Sequence, residues 1–580
     1  MIGDMIGIAR RLCTEHRSAA GRTVIAGFLC FFLAMGLWFT AGNSQTFDEP
    51  LYYYSGYAHL SQGDFSVNRA HPPLSKQIAA LPLYLLSRLH VIAPPRFAAL
   101  AGNPTAAPDF LYRSPLSFST LLFLGRVPML FLGFLTILLI ARWSYRIWGM
   151  PAAILGSGLA VTEPTLIAHS SLITPDIATT FFVVLLSYLL WEYTQSASLP
   201  RFLLAGIALG AALGSKFSAI IALAALIAIA AMDAPSGGWV LPWRHRLPAK
   251  DRWHPYAEMP LMLSYLCAIA LLTLLFLYAF HGLSLWRDGL VDQLTHVSGG
   301  HPAFFLGRHS TTGWWYYFPV AFALKTPVLT LAAIVASLVL CRAGLPLRRR
   351  EALFLLVLPA LWLLTMMWGG VDVGIRYLLP MYPFLFLVAS RLSTFSFRPR
   401  LLMPAILLTT IAWNAVGTLA LAPHFLASAS VIAGGPSGLA RFLSDSNVDW
   451  GQDLAGLKRY MDRERIPSLY LSYFGTARPS DYGIRYQAIP PVFVHDARRE
   501  RRPPSAPDIL AISVTNLHGV YVTDHDLYAW LRESRPVTTI GYSIHVYDLS
   551  GIPGAHCRLA DIYAATGERE YQRIERTKCE

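Results

Sequence analysis

Apolar residues along this chain fall into runs close to the ~20 residues that a helix needs to cross a bilayer. Read in order, they predict helices near residues 23–41, 126–143, 150–168, 176–193, 201–214, 217–232, 259–280, 317–341, 351–368, 376–390 and 401–422. The expected fold class is a polytopic α-helical membrane protein with about eleven transmembrane helices. After the last run the apolar density drops. GGPSG at 434–438 reads as a turn or linker, apolar runs at 468–474, 507–515 and 537–549 look like strands, and helical patterns at 452–463 and 524–533 separate them. That alternation predicts a small soluble α/β domain. The chain thus divides into a cytoplasmic N-terminus (1–22), a transmembrane domain (23–423) with a long first external loop (42–125), and an extracytoplasmic soluble domain (424–580).

Composition agrees with this reading. Of 580 residues, 54% are hydrophobic and 14% charged, with a mean hydropathy of +0.44, too apolar for an ordinary soluble enzyme. A net charge of +13 would suit nucleic acid, but Arg and Lys are scattered between apolar runs and form no patch with interleaved aromatics, so no nucleic-acid partner is expected. With the N-terminus inside, the inner loops hold Arg142 and Arg146, then Arg244, Arg246, Lys250 and Arg252, then Arg342 and Arg348–Arg350, then Arg391, Arg398 and Arg400. The positive-inside rule is obeyed throughout. Arg10, Arg11, Arg17 and Arg22 precede the first run, which is long for a signal peptide and lacks a clear A-x-A site, so an uncleaved first helix is expected.

The opposite loops are poorer in Arg and Lys, yet they hold nearly every oddly placed polar residue: Asp48, Glu49, His71, Asp176, Lys216, Arg308, Asp372 and Arg376. Ionisable groups near hydrocarbon are costly, and those that persist usually line a cavity or bind something, although a single charge at a helix end can simply snorkel. Six cysteines show no metal-binding spacing. Cys557 and Cys579 form the one pair suited to a disulfide, given an oxidising compartment.

Motifs sharpen the picture. An Asp-Glu pair follows the first helix, a Tyr-rich stretch follows it, and HPPL with Lys76 close behind comes next; further on stand TPDIATTFF at 174–182, GSKFSA at 214–219, GWWYYFPVAFALKTP at 313–327 and GIRYLLPMYP at 374–383. Together these resemble the protein O-mannosyltransferases, glycosyltransferase family 39 of GT-C architecture, and the related aminoarabinose transferases of lipid A. The resemblance spans residues 23–392. It implies an integral membrane enzyme, expected in a bacterial inner or plasma membrane, whose extracytoplasmic active site takes a sugar from a polyprenyl-phosphate donor and passes it to a hydroxyl of a protein, lipid or surface glycan.

Such a transfer with inversion needs one base to take the acceptor proton, and cations to hold the leaving phosphate. Asp48 matches the Asp of the family's Asp-Glu motif and is the expected base, with Glu49 as the second candidate. For the phosphate, Lys216 and Arg376 lead; Arg126 resembles an Arg of the family, and Lys325 lies deeper. His71, Lys76, Asp176 and Arg308 are the substrate-binding candidates, Arg308 with His309 by closing over the donor. His71 matches the His of the mannosyltransferase motif, where the aminoarabinose transferases carry a Glu that helps bind a divalent metal, so a metal at His71 is one alternative to structural or substrate hydrogen bonding. Tyr52–Tyr54 and Trp314–Tyr317 read as interfacial aromatic belts, with sugar stacking as the alternative.

The C-terminal domain departs from the eukaryotic mannosyltransferases, whose soluble module lies in a central loop. Within it, SDSNVDWGQD at 444–453 spaces Asp445, Asn447, Asp449 and Asp453 like an incomplete calcium loop, with Gly456 where the closing Glu belongs; Asx-turns and a helix cap account for it as well. Rival functions are a transporter or flippase of lipid-linked sugars, and a noncatalytic partner of a glycosylation complex.

Overall fold

The computed structural model describes residues 2–95, 106–244, 255–342, 347–395, 401–493, 502–503 and 506–579. Arg246, Lys250, Arg252, Arg398 and Arg400 lie outside the described residues, as do the side chains of Arg10, Arg11, Arg17 and Arg342.

All eleven predicted segments are helical. Among the described residues, seven helices are long and apolar enough to cross a membrane, and up to nine if two bent pairs count as one span each. The pairs bend by 67° between Met150–Val161 and Pro164–Ser170 and by 118° between Tyr317–Lys325 and Val328–Leu340. Both breaks carry a proline, Pro164 or Pro327, which removes a backbone donor and disfavours the helical conformation just before it. Two segments are shorter: Leu199–Leu213, and a tight turn Ile375–Met381 running into Tyr382–Ser390.

The bundle has two chemically distinct ends. At one, Glu192 pairs with Arg146 at 2.8 Å and Arg201 at 3.3 Å, and Asp233 pairs with Arg350 at 2.9 Å. At the other, the helix Pro175–Gln195 that ends near Glu192 begins with Asp176, about 24 Å away along its axis at 1.5 Å per residue. Over this second end lie the helices Glu49–Gln62, Leu74–Arg88 and Ala106–Tyr112 of the first loop. Tyr53, Tyr54 and Tyr57 converge on Phe110 with ring centroids 5.5–5.9 Å apart. These tyrosines are core rather than belt.

In the loop from 281 to 316, strands β1 (Ala303–Phe305) and β2 (Arg308–Ser310) form a short hairpin. The C-terminal region builds a mixed five-stranded sheet from β3 (Leu469–Ser472), β4 (Tyr486–Ala488), β5 (Ile509–Ser513), β6 (Thr538–Ile540) and β7 (Ile544–Asp548), in the order β4-β3-β5-β7-β6. β3 runs parallel to both β4 and β5, and β7 antiparallel to both β5 and β6. The run 537–549, expected as one strand, is a hairpin turned by Gly541 and Tyr542, both with positive φ (58° and 65°), the geometry of a tight two-residue turn. The helix expected over 524–533 shrinks to the single turn Ala529–Arg532. Cys557 and Cys579 are bonded.

Packing runs unbroken across the expected boundary at 423. Leu439, Leu443, Val448, Trp450, Phe474 and Val514 belong to the same apolar core as the membrane helices, while two smaller clusters cover the two faces of the sheet.

Candidate active site

Between the first loop, the helix ends and the C-terminal domain lies a cavity of about 670 Å³. Asp48, Tyr52 and His71 line it from the first loop, Arg376 and Tyr377 from the membrane domain, and Asp445, Trp450, Phe474, Phe493 and Tyr521 from the C-terminal domain. Arg69, Asp292, His296 and His301 also line it.

Asp48 precedes the helix Glu49–Gln62, where an Asp ordinarily caps the first backbone amides. Its side chain makes no such cap bond. The carboxylate instead sits 29% exposed with Oδ2 3.6 Å from Arg376 Nη1, an ion pair too long to be a hydrogen bond. Burial holds its carboxyl above the usual aspartate range, against the opposing pull of Arg376. A partly shielded carboxylate whose lone pairs are not spent is suited to accept a proton.

Two cations line the wall, Arg69, which pairs with Asp292 at 3.4 Å, and Arg376. Arg376 is the one beside Asp48. Its guanidinium stacks on Trp450 at 4.2 Å, lies 4.0 Å from Asp176 Oδ2, and keeps Nε without a hydrogen-bond partner. Behind it Lys216 donates to Asp176 Oδ1 at 2.6 Å and sits 4.3 Å from the Tyr377 ring centre. The turn carrying Arg376 is tied to the C-terminal domain: Ile375 N donates to Asn447 Oδ1 at 2.9 Å, and Ser446 Oγ to Val373 O at 2.8 Å. Gly374 permits this approach, since a Cβ there would stand 2.1 Å from Ser446 Oγ.

His71 enters the cavity with its ring 5.7 Å from that of Tyr52 and its Nδ1 unpartnered. Burial, reinforced by Lys216, keeps the ring neutral, well below the ordinary imidazole range. Among the described residues no three His, Cys, Asp or Glu side chains converge to hold a metal ion. The charged groups that face His71 are Lys216, Lys76, Asp176 and Arg376. Lys76 is corrected to a brace: it is buried and donates to the carbonyls of Asn68 and His71, the latter at 2.7 Å, fixing the loop that presents His71. Burial lowers its pKa to about 7.

Four other sequence candidates stand away from the cavity wall. Glu49 and Arg126 are both fully buried and form a two-pronged pair at 2.6 and 2.8 Å. Arg126 also donates to the carbonyls of Thr40, Asn43 and Ser44, and Glu49 accepts from Thr46 N and Ile173 N. With their hydrogen-bonding capacity spent on each other and on backbone, they are corrected from base and phosphate ligand to a structural joint. Lys325 is likewise spent on Leu426 O and Asn447 O, each at 2.5 Å. Arg308 points outward on β2, whose neighbour His309 stacks on His525 at 3.9 Å. The hairpin therefore clamps the C-terminal domain, and Arg308 does not close over the cavity.

The calcium-like run also resolves differently. Asn447 donates to Tyr317 Oη at 2.8 Å, Asp449 accepts from Thr515 N at 3.0 Å, and Asp453 accepts from Ser543 Oγ at 2.7 Å, three separate directions. Burial pushes Asp449 up to about 8. Sequence reasoning missed the wall that this run supplies, Asp445 and Trp450 with Phe474 and Tyr521 beyond it. The available signal was a dense polar stretch at 444–453 without amphipathic period.

Residues 118–245, which include Arg126, Asp176 and Lys216, match the model of the dolichyl-phosphate-mannose-protein mannosyltransferase family. Over this segment the resemblance read from the motifs is met. Among curated proteins no sequence matches. Similar solved structures include ArnT from Cupriavidus metallidurans bound to undecaprenyl phosphate, at 13% identity over 90% of this chain and 97% of that one with a TM-score of 0.46. The S. cerevisiae protein O-mannosyltransferase Pmt1-Pmt2 complex bound to the sugar donor is 18% identical over 46% of this chain and 34% of that one, with a TM-score of 0.32. The archaeal oligosaccharyltransferase AglB from Archaeoglobus fulgidus, in complex with an inhibitory peptide and a dolichol-phosphate, is 13% identical over 68% and 54%, with a TM-score of 0.39.

Proposed function

We propose that this chain is a GT-C-type glycosyltransferase that moves a sugar from a polyprenyl-phosphate carrier to an acceptor hydroxyl, with inversion, on the extracytoplasmic face of its membrane. The observation that carries this reading is the unspent polar chemistry around one cavity: the uncapped Asp48 carboxylate, the free Nε of Arg376 and the free Nδ1 of His71. Buried polar atoms without partners are costly and uncommon, and a bound substrate supplies what they lack. The family match over 118–245 and the motifs over 23–392 supply the reaction class.

In the mechanism, Asp48 takes the proton of the acceptor hydroxyl as its oxygen attacks the anomeric carbon. The carrier phosphate leaves on the opposite side of that carbon, and its negative charge is met by Arg376. Lys216 and Asp176, tied to each other behind the wall, hold the local charge near balance and fix Arg376 against Trp450. An outside cavity is supported by the Arg-rich loops at the far end, through the positive-inside rule, and the Cys557–Cys579 bond suits that compartment.

The test is transfer by purified protein in lipid, from a panel of radiolabelled polyprenyl-phosphate sugars to native membrane extract, with wild type beside Asp48→Asn. Product from wild type that vanishes in the variant, while the variant still binds donor, supports the assignment. Equal product from both removes Asp48 as base. Donor that crosses the bilayer without product marks a flippase, and absence of both points to a noncatalytic partner.

A further inference from the structure

Five of the residues lining the cavity, Asp445, Trp450, Phe474, Phe493 and Tyr521, come from the C-terminal domain, and the most constrained of them is Asp445. The backbone there is left-handed, φ 53°, a conformation that costs a non-glycine residue free energy and persists only where the surroundings over-determine it. They do so here. Asp445 N donates to Thr515 Oγ1 at 3.2 Å, Ser446 N donates to Oδ1 at 2.5 Å, and the Tyr521 hydroxyl donates to Oδ2. Tyr521 is fixed in turn, stacked on Phe474 with ring centres 5.3 Å apart and planes within 7°, and met edge-on by Phe493 and His301.

A carboxylate held this way fits the recognition of a polyol. Each oxygen already accepts one hydrogen bond, and an ionised carboxylate offers about four acceptor sites in all, so two remain. The residue is 7% exposed and forms part of the cavity wall, where a hydrogen bond to charge is stronger than in water. Trp450 and Phe474 add apolar ring surface to the same wall, suited to the C–H face of a sugar.

We infer that Asp445 reads the hydroxyl pattern of a sugar ring in this cavity, with Tyr521 as its positioning residue, so that the C-terminal domain sets specificity while the first loop supplies the chemistry. This rests on the transfer reading above. The ring belongs to the donor or to a glycan acceptor, and kinetics separates the two.

Asp445→Asn keeps the left-handed preference, since Asn also tolerates it, and keeps an acceptor for Ser446 N. Tyr521→Phe keeps the stack on Phe474 and removes only the hydroxyl. With full-length protein in lipid and a panel of polyprenyl-phosphate sugars, Asp445→Asn is expected to raise KM about tenfold or more for the ring it reads, with a smaller change in kcat. It should also reorder preference among sugars differing at one hydroxyl. Tyr521→Phe should shift KM the same way by less. A change in donor KM places the ring on the donor, and a change in acceptor KM alone places it on the acceptor. Equal KM values and unchanged sugar order in Asp445→Asn overturn the inference while leaving the transfer reading intact, as does a uniform loss of kcat with lowered thermal stability. Absence of product from wild type overturns both.

Discussion

Asp48 and Glu49 are chain neighbours with opposite fates. Glu49 is fully buried, paired with Arg126 and bonded to two backbone amides. Asp48, one residue earlier, turns away from its own helix terminus and stands in the cavity 3.6 Å from Arg376. The closed pair gives up all reactivity for rigidity, joining the first helix, the first loop and the helix Phe118–Trp148. The open pair rests on that joint and leaves the lone pairs of Asp48 unspent, as the proposed transfer requires. A carboxylate's role here follows from which groups have already spoken for it, and not from its place in the motif.

The comparison can be broken most directly at Asp48. Asp48→Asn should lower transfer about 10²- to 10⁴-fold, the usual contribution of a general base, with an unchanged unfolding temperature in detergent; a large stability loss would make Asp48 structural. Glu49→Gln should do the reverse, costing about 3–5 kcal/mol of stability because Arg126 keeps a buried, uncompensated charge. The double replacement Glu49→Leu with Arg126→Met should recover much of that loss in the same melting experiment, whereas additive losses would contradict a closed pair. Next in size is the pH response. Asp48 must be ionised to act, so kcat/KM should rise with pH through a midpoint above the usual aspartate value of ~3.9. Arg376 opposes the upward shift of Asp48, so Arg376→Gln should move that midpoint higher, and an unmoved midpoint would uncouple the two. The smallest effect is expected at Tyr377, where Tyr377→Leu removes the ring beneath Lys216. At about 0.5–2 kcal/mol for such a contact, donor KM should rise less than about 30-fold.

Much of the architecture is legible in sequence because the bilayer imposes it: all eleven apolar segments became helices, and the two that break do so at Pro164 and Pro327. Asp48, His71, Asp176, Lys216 and Arg376 share one end because helix direction and the placement of Arg follow simple rules. What sequence withheld is partnership. Glu49, Arg126 and Lys325 carry the right charge on the right side, yet nothing local reveals that each is already satisfied. Trp450 and Tyr521, and the place of Asp445 in the cavity, were hidden for a second reason. They reach the cavity from a domain separated from Asp48 by about four hundred residues, and no periodicity encodes so distant a contact.

That distance has a consequence for biogenesis. Ser44 N donates to Gln452 O and Phe47 N to Trp450 O, at 2.8 and 2.9 Å, while Ala455 N donates to Ser44 Oγ across a separation of 411 residues. The stretch of chain that aims Asp48 therefore has no template until ribosomes have added the 411 residues that separate Ser44 from Ala455. At ~5–20 residues per second this wait is roughly 20–80 s. A chain cut before residue 450 would hold Arg376 without the backbone partners that aim Asp48, so on the proposed function it would be inactive.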